Sequence, residues 1–163
     1  MKHILLSLML LFTISACSAE QPHEHDHHHV GAIGDHERCH MCGMMITKYP
    51  GPKGQIMFND SAKNPKFCST RDMFNFALQP ENQRKIGHLY VHDMAKTSWE
   101  KPSDEHFIDA KTAWYVYGTS RKAVMGSAVA TFSTEQAATE FAREFGGVVL
   151  RYDDISLELL AGN

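Results

Sequence analysis

Residues 67–78 read FCSTRDMFNFAL, and residues 131–142 read TFSTEQAATEFA. Each leaves a strand-like run, passes a Ser-Thr pair and enters a helical pattern. Each helix is then followed by a glycine and a further apolar run, GHLYV at 87–91 and GVVLRY at 147–152. In the first copy Ser69 is the expected N-cap, with Asp72 three residues on as a weak capping box. The helix is expected over 70–79, with Met73, Phe74, Ala77 and Leu78 on one side and a stop before Pro80. In the second copy Ser133 is the expected cap and Gln136 takes the box position. Ala137, Ala138, Phe141, Ala142 and Phe145 form the apolar stripe, and Gly146-Gly147 ends the helix.

GQIMF (54–58) and KFCS (66–69) are expected strands before the first helix, and HLYVHDM (88–94) is the strand after it. In the second copy FIDAKTAWYVYG (107–118) and AVATF (128–132) precede the helix, and VVLRY (148–152) follows it. The reading is therefore an α+β chain in which a ββαβ unit is used twice. The first half-domain spans 36–100 and the second 101–163.

Ahead of these units, residues 1–17 read MKHILLSLMLLFTISAC. Lys2 and His3 give a positive start, an apolar run follows, and Ser15-Ala16 lead to Cys17, as in a secretory signal. The run is short for a spanning helix. Residues 1–16 are expected to be removed and Cys17 to carry lipid, which anchors the chain on a bilayer through more than one acyl chain. Ser18 beside that cysteine is similar to signals that address lipoproteins to the outer membrane, facing the periplasm. Residues 17–35 read as a polar tether. Its tract HEHDHHH (23–29) gathers five imidazoles and two carboxylates that bind divalent transition metals loosely, or simply form a solvated linker. The formal charge of −3 and the lack of a basic tract argue against a nucleic-acid partner.

With Cys17 acylated, Cys39, Cys42 and Cys68 are the remaining thiols. An odd number suits a disulfide framework poorly. The segment RCHMCGMMI (38–46) concentrates two thiols, three thioethers and an imidazole. Soft sulfur donors favour Cu(I) over hard cations. Zinc on Cys39, Cys42 and a histidine, a redox CxxC and a structural disulfide are the competing uses; the flanking turn residues do not supply the helix start that a redox CxxC wants. Met41 lies two residues after Cys39, so in an extended strand both sulfurs point one way. Met44 is as readily a ligand as a core side chain, and Met45 is expected to fill the core. Cys68 is expected to be mainly a small buried hydrophobe. His88 and His92 share a strand face, and His92 is the candidate imidazole. Met125, in a Gly-flanked turn, is a further sulfur from the other half. The candidate metal ligands are thus Cys39, Met41, Cys42, Met44 and His92. Asp72, Asp93, Asp104 and Asp109 are scattered, and no hydrolase motif is present, so enzymatic turnover is not expected.

The motifs RCHMCGMMI, KFCSTRDMFNF, LYVHDM, W-x-x-P at Trp99–Pro102, FIDAKTAWYVYGTS, VMGSAVATFS and AATEFAREFGGVVLRYDDI, in this order, resemble the NosL family of nitrous oxide reductase accessory lipoproteins. The resemblance covers most of 37–155. It implies a fold like part of organomercurial lyase, Cu(I) as the bound ion, and delivery of copper to apo nitrous oxide reductase. It also implies work beside a membrane transporter complex. The family's Cys and Met ligands fall on Cys39 and Met41, with a histidine that the motif does not assign. Two alternatives remain open. One is a thiol-dependent enzyme on the lyase-like scaffold, for which convergence of Cys68 with Cys39, Cys42 and an acid is the feature to look for. The other is a lipoprotein that stores or senses copper without transferring it.

Overall fold

The computed structural model describes residues 30–162. The expected signal peptide (1–16), the lipidated Cys17 and the histidine tract (23–29) lie outside the described residues. No helix among the described residues is long and apolar enough to cross a membrane.

The elements run β1 (Gly54–Phe58), β2 (Lys66–Phe67), α1 (Thr70–Ala77), α2 (Pro80–Gln83), β3 (Ile86–His92), β4 (Phe107–Asp109), β5 (Trp114–Lys122), β6 (Ser127–Phe132), α3 (Glu135–Phe145), β7 (Val148–Leu150) and α4 (Leu157–Ala161). The first sheet has the order β2-β1-β3-β4 and the second β6-β5-β7. In both, the leading strand pairs antiparallel with its hairpin partner on one side and with the strand after the helix on the other. The repeated ββαβ unit is therefore present as topology.

Local chemistry accounts for the boundaries. Ser69 caps α1 by accepting the Asp72 N–H, as the sequence implies. In the second unit the cap is Thr134, whose hydroxyl accepts the Ala137 N–H, and not the expected Ser133. The neighbouring hydroxyls are equivalent by pattern, and Ser133 instead gives its N–H to Asp93 at 3.0 Å. The run expected as one strand at 107–118 is two. Asp109 Oδ1 accepts the Lys111 N–H at 2.8 Å in an Asx turn, which lets β4 pair with β3 in the first sheet while β5 opens the second. Folded structure also begins inside the stretch expected as a tether (17–35). The carbonyl of Gly31 accepts from Gln55 Nε2, and Ile33 N–H donates to Asp104 at 2.7 Å.

Helix α1 lies between the sheets, against β1 on one side and β6 on the other. Phe67, Met73, Phe74, Leu89 and Val91 join Tyr115, Val129 and Leu160 in one core, so the halves bury apolar surface together. Alternation along the second sheet turns Val116, Ala128, Ala130 and Phe132 to its other face, where α3 covers them with Ala138 and Phe141. Trp99 stacks on Phe141 at 5.5 Å and donates its indole N–H to the Lys122 carbonyl, tying the crossing segment to the second half.

The joint between the sheets is polar. Fully buried Asp93 accepts N–H groups from Ala95 and Ser133 through Oδ1, at 3.1 and 3.0 Å, while Met94 N–H donates to Thr131. Each hydrogen bond to a charged group contributes about 1.5–3 kcal/mol. Asp93→Ala is expected to destabilise the fold by about 2–4 kcal/mol, read as a lower urea midpoint at unchanged slope. A loss below the ~0.5 kcal/mol of a neutral surface change would show that the joint does not depend on this carboxylate.

Candidate metal centre

The segment 38–45 is a tight loop, not an extended strand. Arg38 and Met45 form an antiparallel bridge, Cys39 N–H donates to Met44 O at 2.8 Å, and Gly43 N–H donates to Cys39 O at 2.9 Å. Gly43 takes φ +74°, which the reversal needs and a β-carbon would resist. His40 N–H donates to the Lys66 carbonyl at 2.9 Å, and its ring sits edge-on to Phe76 and Phe67. That backbone bond docks the loop alongside β2, whose next residue after the strand is Cys68.

The consequence is a convergence that the expected ligand set left out, although it is the feature that the thiol-enzyme alternative asked for. Donor atoms of Cys39, Cys42, Cys68 and Asp72 all lie within 4.8 Å of one another. Cys42 and Cys68 sulfurs are 3.4 Å apart, and all three cysteines are free thiols. Cys68 donates to Asp72 Oδ2 at 3.2 Å, and Cys39 Sγ lies 3.6 Å from the same oxygen. Cys68 is buried as expected but is a member of the cluster. The signal that could have revealed it is its place just before the Ser69 cap, with Asp72 four residues on to accept its thiol proton.

Electrostatics divide the three thiols. The Cys68 thiol hydrogen-bonds Cys39, and with backbone N–H groups of Cys68 and Cys42 this outweighs burial and lowers Cys39 to about 5. Cys68 is pushed far up, first because its proton bridges to Cys39, then by burial and by Asp72. Cys42 is raised, mainly by burial. The cluster thus holds one thiolate and shares a proton between Cys68 and its acceptors. Lys53, only 3% exposed, donates Nζ to the carbonyls of Tyr49, Pro50 and Cys68. Burial lowers it to about 8, while Cys68 and Cys39 pull it upward.

The other expected ligands have different fates. His92 is not brought to the sulfurs as a free donor. Its Nδ1 accepts the Lys53 N–H at 3.1 Å, its Nε2 meets Asp104 Oδ1 at 3.2 Å, and its ring stacks on Phe107 at 3.9 Å. Burial lowers its pKa against the pull of Asp104, so it is a satisfied neutral side chain. It shares its strand face with exposed His88, but Phe107 and the Asp104 turn cover only His92. Met41 is 50% exposed beside buried Cys39, because the turn separates the two sulfurs that an extended chain would have aligned. Met44 and Met45 are half-buried. Met125 is 51% exposed, and its carbonyl faces Arg71 of α1. At Gly126 (φ +61°) a β-carbon would run into the Arg71 guanidinium. A cavity of about 150 Å³ lies to one side, lined by Lys53, His92 and Asp104 among others and by none of the cysteines.

Three sulfurs at this spacing suit a soft monovalent ion in a three-coordinate seat. A metal–sulfur bond of ~2.3 Å places trigonal sulfurs about 4 Å apart, so the thiols need only part slightly.

Comparison with known proteins places the chain in a family. The NosL family model matches residues 29–160. The copper-binding lipoprotein NosL of Stutzerimonas stutzeri is 46% identical over 156 residues, covering 96% of this chain and 80% of that protein. The copper-binding lipoprotein NosL of Achromobacter cycloclastes is 38% identical over 120 residues, covering 72% and 62%. The crystal structure of the copper chaperone NosL from Shewanella denitrificans superposes with a TM-score of 0.78 at 43% identity, covering 80% of this chain and 97% of that one. The solution structure of apo-NosL from Achromobacter cycloclastes gives 0.51 at 33% identity, covering 66% and 87%. The chain belongs to the NosL family.

Proposed function

We propose that this protein is a copper chaperone that holds Cu(I) on Cys39, Cys42 and Cys68 and passes it on for the maturation of apo nitrous oxide reductase. The observation that carries the reading is the gathering of three thiols and a carboxylate within 4.8 Å. The relatives' names as copper-binding lipoproteins support it. On loading, Cu(I) bonds to the Cys39 thiolate and displaces the thiol protons of Cys68 and Cys42, with Asp72 beside Cys68 to accept a proton on its way to water. The exposed Met41 thioether, with half-buried Met44 at the rim, offers a neutral and easily displaced donor during exchange with a partner. The protein binds and transfers without turnover. Lipid on Cys17 would hold it at the outer membrane, facing the periplasm and the membrane transporter complex of the pathway.

The test is competition of Cu(I) between the reduced protein and a chelator, followed by transfer to apo nitrous oxide reductase. One tightly held ion is expected. Met41→Ala should leave affinity within about tenfold, less than an essential outer-shell partner would cost, and should slow transfer. Tight binding with no transfer, even with the transporter complex supplied, would make the protein a store or sensor.

A second reading has one observation in its favour, since convergent thiols with an acid are what cleavage of a carbon–metal bond by thiolates needs. The adjoining cavity has none of those thiols in its wall, which favours the carrier. Release of benzene from a phenylmercury salt by the protein would reverse that preference.

A further inference from the structure

The sulfurs of Cys42 and Cys68 are in contact at 3.4 Å, and both cysteines are free thiols. A disulfide holds its sulfurs at about 2.05 Å, so this pair has only to close by about 1.4 Å. Both backbones are already held for it. On the loop side the His40 N–H donates to the Lys66 carbonyl at 2.9 Å, and the His40 ring rests on Phe67 and Phe76. On the other side the Cys68 carbonyl accepts from Lys53 Nζ at 3.1 Å, and Ser69 caps the helix that follows. Access to the sulfurs is unequal. Cys39 and Cys68 are buried while Cys42 is half-buried, so a reagent from solvent meets Cys42 first. Cys68 points its proton at Asp72 Oδ2, 3.2 Å away, and a carboxylate there takes that proton when the sulfur attacks. A bond between Cys42 and Cys68 also makes sense of the odd number of thiols, since it leaves Cys39 as the one thiol of the cluster.

We propose that Cys42 and Cys68 form a redox-active dithiol that exchanges with an accessible disulfide and, when closed, takes two sulfurs out of the copper seat. The Cys42 thiolate attacks one sulfur of the incoming disulfide, which breaks; one of its halves leaves as a thiol and the other stays on Cys42 as a mixed disulfide. Cys68 then passes its proton to Asp72 and attacks the Cys42 sulfur. The Cys42–Cys68 bond forms, and the second half leaves as a thiol with a proton. Two protein thiols are oxidised and one disulfide is reduced to two thiols. The oxidising surroundings expected of an exported chain supply such disulfides. The closed bond ties the 38–45 loop covalently to the start of α1 and leaves Cys39 unbonded. The bond itself goes beyond the copper reading and forms without metal; only its consequence for copper rests on that reading.

The experiment equilibrates the metal-free full chain, in detergent, with glutathione buffers of rising oxidised-to-reduced ratio. Remaining thiols are then alkylated in acid-quenched samples and the tryptic peptides are mapped. Residues 39–48 and 67–71 fall in separate tryptic peptides. These two should appear linked, with fragmentation placing the bond on Cys42 and the alkyl group on Cys39. Cys39→Ser should close at the wild-type ratio, and Cys42→Ser should not. No linked peptide at any ratio, or a bond that uses Cys39, overturns the proposal; this wild-type map needs no substituted chain to fold. In the second arm, chelator competition compares the closed and reduced chains for Cu(I), with Cys39, Cys42 and Cys68 all changed to Ser as the blank for the histidine tract. The closed chain should bind at least about 100-fold more weakly, beyond the range for loss of an outer-shell partner, and reduction should restore it. Equal affinity in the two states overturns the effect on copper. Reduced wild type that holds no Cu(I) above the blank would sink the copper reading itself, an outcome that the peptide map does not share.

Discussion

Cys68→Ser lowers Cu(I) affinity by at least about 100-fold, beyond the 10–100-fold that outer-shell partners cost. The sulfur of Cys68 is 3.4 Å from that of Cys42 and shares its proton with Asp72 and Cys39. Removing it takes one of three anionic soft donors and leaves a hard hydroxyl that Cu(I) binds poorly. The serine retains a hydrogen bond to Asp72, so the fold should survive and the loss should be specific to metal. Chelator competition on the folded variant measures it. An affinity within tenfold of wild type would remove Cys68 from the site and return the ligand set to the Cys39–Met41 pair that the sequence suggested.

The second large effect is on pH. Cys39 is lowered to about 5 by the Cys68 hydrogen bond and backbone N–H groups, against burial, so it is already a thiolate at neutral pH. Cys42 and Cys68 are raised and keep their protons there. Binding one Cu(I) on three thiolates therefore releases two protons between pH 6 and 8. Affinity should climb as pH rises, by about 100-fold per pH unit once corrected for the chelator. The sign follows because deprotonation is required for binding, and high pH supplies it. Cys42→Ser should reduce the climb to about tenfold per unit, because it removes one protonated ligand and leaves the Cys68 hydrogen bond to Cys39 in place. A flat profile in wild type would mean that neither protonated thiol is a ligand.

Much of this architecture was legible from local pattern. Ser69, the Met73–Phe74–Ala77 stripe and the Gly-strand sequel specify one unit, and the same order at 131–152 specifies the other. The errors are informative. Pattern does not separate Ser133 from Thr134 as a cap, because the choice depends on the distant Asp93 taking the Ser133 N–H. The split of 107–118 was visible in principle as an Asp-initiated turn at Asp109, but the apolar run on either side hid it.

At the site, the sulfur-rich loop was recognised, but its conformation was not. Gly43 folds it back and sends Met41 outward while Cys39 goes inward. Cys68 and Asp72 join through the His40–Lys66 backbone bond, a contact between segments 26 residues apart that no periodicity encodes. His92 stays outside the sulfur cluster for the converse reason. Its strand parity was right, yet the Lys53 N–H and Asp104, from the turn before β4, occupy both ring nitrogens.

On the proposed reading, copper sits on three cysteine sulfurs gathered from the loop at 39–42 and the start of α1. X-ray absorption at the copper edge, on reduced protein carrying one equivalent of Cu(I), counts those sulfurs. The expected first shell is three sulfurs at a common distance with no imidazole nitrogen. A first shell that contains imidazole, or fewer than three sulfurs, would contradict it.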